Sequence, residues 1–235
     1  MMKLTINTDK MEDEAIRLLD SGEIRRAERI LTQMLVSDPN CLSAHFHLAR
    51  VYRRTKEYRR ALQHARRTLK LNPKEPNAFL NLGLIYEFMG QDKLAVSSYK
   101  RELLRDPDNA ETLFNIGRLY FNRHRWLHAS EYLRRCFDIG YLFRVEDTVY
   151  KLGECYYKLN DLHSFIDIYT RYLQIAPNAA WAATNLGCAL LRAKDYKHAV
   201  LWLSKGKQLG NRKKSIAAEL VRANEMLMKE SKRNR

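Results

Sequence analysis

The chain has 235 residues, of which 46% are hydrophobic and 29% are charged. This composition can bury a continuous core, which excludes a chain that is disordered over most of its length. No stretch approaches the roughly 20 uncharged apolar residues of a membrane-spanning helix, and the acidic start lacks the apolar segment of a secretory signal. We therefore expect a cytoplasmic protein that is not transmembrane, with its four scattered cysteines reduced and packed.

The net charge of +15 is concentrated in two segments. Residues 50–70 contain nine basic residues and one acidic residue, and residues 192–235 contain thirteen basic and four acidic residues. Clustered Lys and Arg side chains bind phosphate groups in nucleic acids and in anionic membrane surfaces. The competing interpretation is that these segments form ordinary solvated helix faces.

Residues 1–7 are predicted to be an N-terminal tail, and a repeating pattern follows them. Pro39, Pro73 and Pro107 are spaced 34 residues apart, and the same interval separates Gly83 from Gly117. A Gly midway along one helix lets a second helix approach closely, and Pro ends the second helix because it cannot continue the hydrogen-bond ladder. The pattern predicts pairs of helices, each of which needs its neighbours to bury its apolar face.

The pattern resembles the tetratricopeptide repeat, and the third repeat carries its signature most fully. The residues that carry the resemblance there are Phe79, Leu82, Gly83, Tyr86, Ala95, Tyr99 and Pro107. Six repeats start near Thr8, Leu42, Pro76, Ala110, Glu146 and Ala180. The resemblance implies an all-α, right-handed superhelical solenoid of six helix-turn-helix repeats plus a C-terminal capping helix. Repeats 1–4 are expected over 8–145, repeats 5 and 6 over 146–213, and the capping helix with a basic tail over 214–235.

Two positions depart from the pattern. The fourth repeat has Tyr141 in place of its closing Pro, and the fifth begins two residues late. Residues 137–147 are therefore either a hinge or a longer turn. The second departure is Phe165, because the other second helices have Ala at this position, namely Ala27, Ala61, Ala95, Ala129 and Ala199.

The resemblance also implies a concave groove, lined by the first helices, that holds a partner protein. The predicted groove residues are Phe46, His47, Arg50, Leu80, Asn81, Phe114, Asn115, Arg118, Tyr150, Lys151 and Asn185. They form an apolar row, expected to be exposed, beside a row of asparagines that Lys151 interrupts. A side-chain amide can donate to and accept from the backbone of an extended peptide. Because cations outnumber acids in the groove, we expect an acidic or neutral peptide segment.

The family's clamp for a C-terminal carboxylate is not expected, since no three consecutive repeats supply its Lys, Asn and Arg set. The alternative function is that of a nucleic-acid- or ribosome-associated repeat protein. Its candidate phosphate-binding residues are Arg53, Arg54, Arg59, Arg60, Arg66, Arg67, Arg212, Lys213 and Lys214. The sequence contains no recognised catalytic phrase, and we expect no catalytic residues, no metal site and no cofactor. The sequence leaves self-association undecided.

Overall fold

The computed structural model describes residues 2–210 and 214–233, and its regular structure there is helical. The α-helices are α1 (Met2–Asp20), α2 (Ile24–Ser37), α3 (Leu42–Arg54), α4 (Tyr58–Leu71), α5 (Ala78–Phe88), α6 (Asp92–Arg105), α7 (Ala110–Asn122), α8 (Trp126–Asp138), α9 (Val145–Lys158), α10 (Leu162–Ile175), α11 (Ala180–Arg192), α12 (Tyr196–Gln208) and α13 (Lys214–Arg233). The predicted all-α repeat fold is confirmed. Residues 2–7, predicted to be a tail, are the first residues of α1.

Helices that follow one another pack in pairs. Helix α1 packs on α2, α3 on α4, α5 on α6, α9 on α10 and α11 on α12. Second helices also contact the next first helix, as α4 does with α5 and α10 with α11. Helix α13 covers α12 and touches α11, with Ile216 and Ala223 buried.

The chain divides into two compact units, Met1–Leu119 and Tyr120–Arg235. The division falls within α7 rather than in residues 137–147, where the sequence departs from its period. That segment lies inside the second unit, where α8 packs on α9 and a short 3-10 helix (Leu142–Arg144) joins them. Whether the segment acts as a hinge stays a prediction.

The glycines of the first helices are points of close helix contact. A Cβ atom on Gly83 would lie 2.5 Å from the ring of Tyr99, and one on Gly187 would lie 2.7 Å from Leu203. Gly153 has the same relation to Tyr169. These side chains of the second helices are buried, so they fill the space that a glycine leaves. Any larger residue at these glycines would force the two helices apart.

The start of helix α5 is capped by the buried carboxylate of Glu102, a residue of α6. Glu102 is 2% exposed. Its Oε1 accepts the amide of Asn77 at 3.0 Å, and its Oε2 accepts those of Phe79 and Leu80 at 3.1 and 3.3 Å. The carboxylate thus satisfies three amides that the start of a helix leaves without intrahelical partners.

Replacing Glu102 by Ala should leave these amides unsatisfied and lower the free energy of unfolding by about 2–3 kcal/mol. Urea unfolding followed by circular dichroism measures the change. The control is Glu131→Ala, which removes an exposed carboxylate of α8. Equal unfolding midpoints for the two variants would show that Glu102 does not stabilise the start of α5.

A pair of histidines links α3 to α4. His45 Nε2 lies 3.1 Å from the carbonyl oxygen of Pro39, so this nitrogen carries a proton and donates. In neutral His45 the Nδ1 atom is then an acceptor, and His64 Nδ1 donates to it at 2.9 Å. Burial first, and then the proximity of His45 and of the Arg60 cation, lower the pKa of His64 to about 4.

Acid should therefore destabilise the first unit. A histidine whose pKa is lower in the folded chain contributes its full stability above the unfolded pKa of about 6.5, and this contribution is lost as the pH falls towards about 4. His64→Gln can still donate to His45, so the variant should lose less stability between about pH 7 and pH 5 than the parent protein. Urea midpoints at the two pH values measure this loss, with exposed His163→Gln as the control. An acid loss that is the same in all three proteins would contradict the assignment.

Candidate functional site

The predicted groove residues of the first unit lie on α3, α5 and α7. In this unit the first helices α1, α3 and α5 are neighbours, since α1 contacts α3 and α3 contacts α5. Phe46 and Arg50 of α3 are half-buried, and Arg118 of α7 is half-buried as well. We call the surface of α3, α5 and α7 that carries these groove residues the first-helix face of the unit.

The expected exposure of the apolar row is wrong for two of its members. Leu80 is 4% exposed and Phe114 is 1% exposed, so both belong to the core. Helix α5 contacts α3, α4 and α6, which leaves little of its surface free. Tyr150 in the second unit differs, because 54% of its surface is exposed.

The two asparagines of the first unit differ in their hydrogen bonding. Asn115 Nδ2 donates to the carbonyl oxygen of Glu111 at 2.8 Å, and its Oδ1 accepts from Arg118 at 3.3 Å. Asn81 is only 6% exposed, and its buried Nδ2 has no hydrogen-bond partner among the described residues. A buried donor without an acceptor is rare and costs about 1–3 kcal/mol.

Arg118, predicted to attract an acidic peptide, is neutralised by Glu87 of α5. An Nη2 atom of Arg118 lies 2.9 Å from Glu87 Oε1, and Tyr99 donates its hydroxyl to Oε2 at 2.7 Å. Burial and then Glu87 raise the pKa of Tyr99, which keeps the hydroxyl protonated. Sequence reasoning missed Glu87, because the pairing depends on how neighbouring repeats align.

The free positive charge of this face lies on α3. Arg50 donates to His47 Nδ1 at 3.4 Å, and His47 Nε2 faces Glu12 at 3.5 Å. Burial, and then the charge of Arg50, lower the pKa of His47, so the imidazole ring is neutral. The hydrogen bond to this ring therefore leaves the positive charge of Arg50 uncompensated. The same two causes lower the pKa of Arg53, whose Nε atom is buried without a hydrogen-bond partner. No ion pair to Arg50 or Arg53 occurs within the described ranges.

The predicted site residues of the second unit are Tyr150 and Lys151 on α9 and Asn185 on α11. Lys151 forms an ion pair with Asp147, one turn earlier on the same helix. Asn185 Nδ2 donates to the hydroxyl of Tyr169 at 3.2 Å. The cation and the amide are thus already engaged, while Tyr150 faces solvent.

Most of the candidate phosphate-binding arginines of residues 50–70 are engaged within the first unit. Arg54 donates to the carbonyl oxygen of Leu19 at 2.7 Å, Arg66 to the Tyr86 hydroxyl at 3.2 Å, and Arg67 to Asn40.

Arg60 is held from two sides, by Glu57 at 2.7 Å and by the ring of Tyr52 at 3.9 Å. Arg59 is exposed, and no ion pair to it occurs in the part of the chain that the structure describes. Arg212 and Lys213 lie outside the described residues, and Lys214 is the first residue of α13. Of the described candidates, Arg60 is thus paired with a carboxylate, whereas Arg54, Arg66 and Arg67 donate to neutral oxygens.

The described residues contain no group of three His, Cys, Asp or Glu side chains that could hold a metal ion. None of the four cysteines, all of which are described residues, forms a disulfide, and burial raises the pKa of Cys136 to about 11 and that of Cys155 to about 12. None of the described helices has both the length and the apolar character to cross a membrane.

Family models of the tetratricopeptide repeat match residues 12–76, 78–111 and 147–179. No curated protein sequence matches the chain. Among solved structures, the C-terminal part of a tetratricopeptide-repeat-containing protein from Cytophaga hutchinsonii aligns over 95% of this chain and 89% of its own, with a TM-score of 0.69 and 20% identity. YrrB, described as a tetratricopeptide-repeat protein with an unusual peptide-binding site, aligns over 82% and 97%, with a TM-score of 0.61 and 17% identity.

A chain of the anaphase-promoting-complex assembly Cut9–Hcn1 aligns over 92% of this chain, with a TM-score of 0.60 and 19% identity. The present chain spans only 42% of that relative's length. At these identities, the likeness shows the fold.

Proposed function

Since the chain belongs to the tetratricopeptide-repeat family, we propose that it is a scaffold that binds an extended peptide segment against the first helices of its repeats. Proteins of this family are generally non-catalytic and bind other proteins. The partner of this chain is a neutral or acidic segment of another protein.

The observation that carries the proposal is the unpaired amide of Asn81. Its Nδ2 lies on the first-helix face of the first unit, buried and without an acceptor within the described residues. If the side chain of Asn81 turns outward, the carbonyl oxygen of an extended peptide would satisfy this donor, and the cost of leaving it unpaired in the free protein would be recovered on binding. A contact to the peptide backbone does not depend on the sequence of the peptide.

The preference for an acidic or neutral partner rests on α3. Arg118 and Lys151 are already neutralised, so they add little charge selection. Arg50 and Arg53 lie one turn apart, the charge of Arg50 adds to burial in lowering the pKa of Arg53, and neither arginine forms an ion pair within the described residues. A carboxylate of the partner would relieve the repulsion between these two cations.

The alternative partner, nucleic acid, has less support. Arg60 is neutralised by Glu57, and Arg54, Arg66 and Arg67 each have one donor engaged by a neutral group of the protein, which leaves fewer donors for a phosphate. Affinity for RNA at low salt that is lost steeply as salt is added would favour this alternative.

Asn81→Ala should weaken peptide binding by between about two- and tenfold, the value of one hydrogen bond. The probes are peptides selected on the full chain from a random-sequence library, and fluorescence anisotropy gives their Kd. The control is Gln63→Ala, which removes an exposed amide of the second helix α4. If both variants bind the selected peptides as tightly as the parent, Asn81 is not part of the binding surface.

Glu87→Gln should release Arg118 and increase the affinity for acidic peptides. Because an ion pair between Arg118 and a carboxylate of the bound peptide, at the protein surface, contributes up to about 1 kcal/mol, we expect a gain of up to about fivefold that disappears at high salt. Neutral peptides should bind as before, and Glu131→Gln on α8 should change neither affinity. A gain that is equal for acidic and neutral peptides would contradict the conclusion that Glu87 neutralises Arg118.

A further inference from the structure

A cavity of about 360 Å³ lies in the second unit, between α11 and the turn that joins α9 to α10. Its walls are largely aromatic and apolar, and they include Tyr156, Tyr157, Leu162, Phe165, Cys188 and Arg192. This volume is near the lower end of the range of small-ligand sites, which suits one large side chain better than a whole cofactor.

The cavity lies beside the residue that breaks the alanine pattern. The alanines at this position of the other second helices, including Ala95 and Ala199, are fully buried. Phe165 is half-buried, and its ring stacks on Tyr169 with 4.6 Å between centroids. A phenyl ring is too large for the space that a methyl group fills at this position. Phe165 lies near the start of α10, and its side chain forms part of the cavity wall.

Two cations without ion-pair partners lie beside Tyr157, which lines the cavity and is 58% exposed. Arg192, which also lines the cavity, lies 5.3 Å from the centre of the Tyr157 ring, and Lys158 lies 6.0 Å from the centre of that ring. Neither cation forms an ion pair in the described part of the chain.

The carboxylate that lines the cavity belongs to Asp161. It accepts the amide of Ser164 at 3.0 Å and so caps α10, and this hydrogen bond lowers the pKa of Asp161. Its charge is therefore partly satisfied by the start of the helix, whereas Arg192, which lines the same cavity, has no ion-pair partner within the described residues.

We propose that this cavity binds one aromatic side chain of a peptide partner, and that Arg192 and Lys158 bind a carboxylate next to it in the partner's sequence. The inference rests on the proposed peptide-binding function and specifies the partner. Aromatic side chains that fill pockets supply much of the binding energy at protein interfaces. Tyr157 and Phe165 offer rings for stacking, while the two unpaired cations favour an acidic neighbour.

The test uses three blocked dipeptides, acetyl-Phe-Glu-amide, acetyl-Ala-Glu-amide and acetyl-Phe-Gln-amide, titrated into the full chain and followed by backbone amide NMR. The Phe-Glu probe should shift resonances of α9, α10 and α11. The Ala-Glu probe should bind at least about tenfold more weakly, since burial of an aromatic side chain is lost. The Phe-Gln probe should bind about three- to fivefold more weakly, the value of an exposed ion pair.

Arg192→Gln should make the Phe-Glu and Phe-Gln probes bind more nearly alike, and Phe165→Ala should weaken both. The matched control is Lys197→Gln, an exposed cation of α12. Equal binding of the Phe-Glu and Ala-Glu probes, or no shifts in the second unit, would overturn the inference.

The variant Asn81→Ala separates this inference from the proposed function. It should leave the dipeptide titrations unchanged, because Asn81 lies in the other unit. If library peptides still bind through Asn81 while the dipeptides do not bind, only the cavity assignment fails. If neither class of peptide binds, the scaffold proposal fails as well.

Discussion

The close contact between the two helices of a repeat is the constraint on which the rest of the structure depends. At Gly83 and Gly153, a tyrosine ring from the second helix occupies the space that a Cβ atom would need. The second helix therefore covers one side of the first, and the neighbouring helices cover most of what remains. This geometry leaves only a narrow strip of each first helix for a partner, which is why Leu80 and Phe114 belong to the core rather than to a binding surface.

The binding properties of the molecule therefore depend on a few polar and charged groups rather than on a broad apolar groove. In the first unit, the side-chain amide nitrogen of Asn81 lacks a hydrogen-bond partner within the described residues. Arg50 and Arg53 form no ion pair there, whereas Arg118 is paired with Glu87. In the second unit, Phe165 stands where the repeats otherwise have Ala and lines a cavity. Arg192 and Lys158, which form no ion pair within the described residues, lie beside Tyr157 of the same cavity. Phe165 is a local departure from the repeating pattern, and the pattern itself supplies the scaffold that holds all of these groups.

The repeat pattern predicted the helix pairs because the interval of 34 residues is set by contacts within a repeat, and the residues that make those contacts recur in the sequence. Groups without periodic counterparts were missed. Glu102 caps α5, yet Thr68 and Cys136 stand at the equivalent positions of the neighbouring repeats. The pairing of Lys151 with Asp147 could have been found, since the two residues are four apart on one helix. Burial of Leu80 and Phe114 could not have been predicted from the sequence, because it depends on how many neighbours surround each first helix.

Photo-cross-linking tests most directly whether the partner lies against the first helices. A photoreactive benzoylphenylalanine is placed either at Arg50, on the first helix α3, or at Leu104, which is exposed on the second helix α6. Each full-length protein is irradiated with a labelled peptide selected from a random library on the parent chain. If the partner lies against the first helices, position 50 gives a cross-linked product and position 104 gives none. Cross-linking from position 104 alone would show that the partner lies elsewhere.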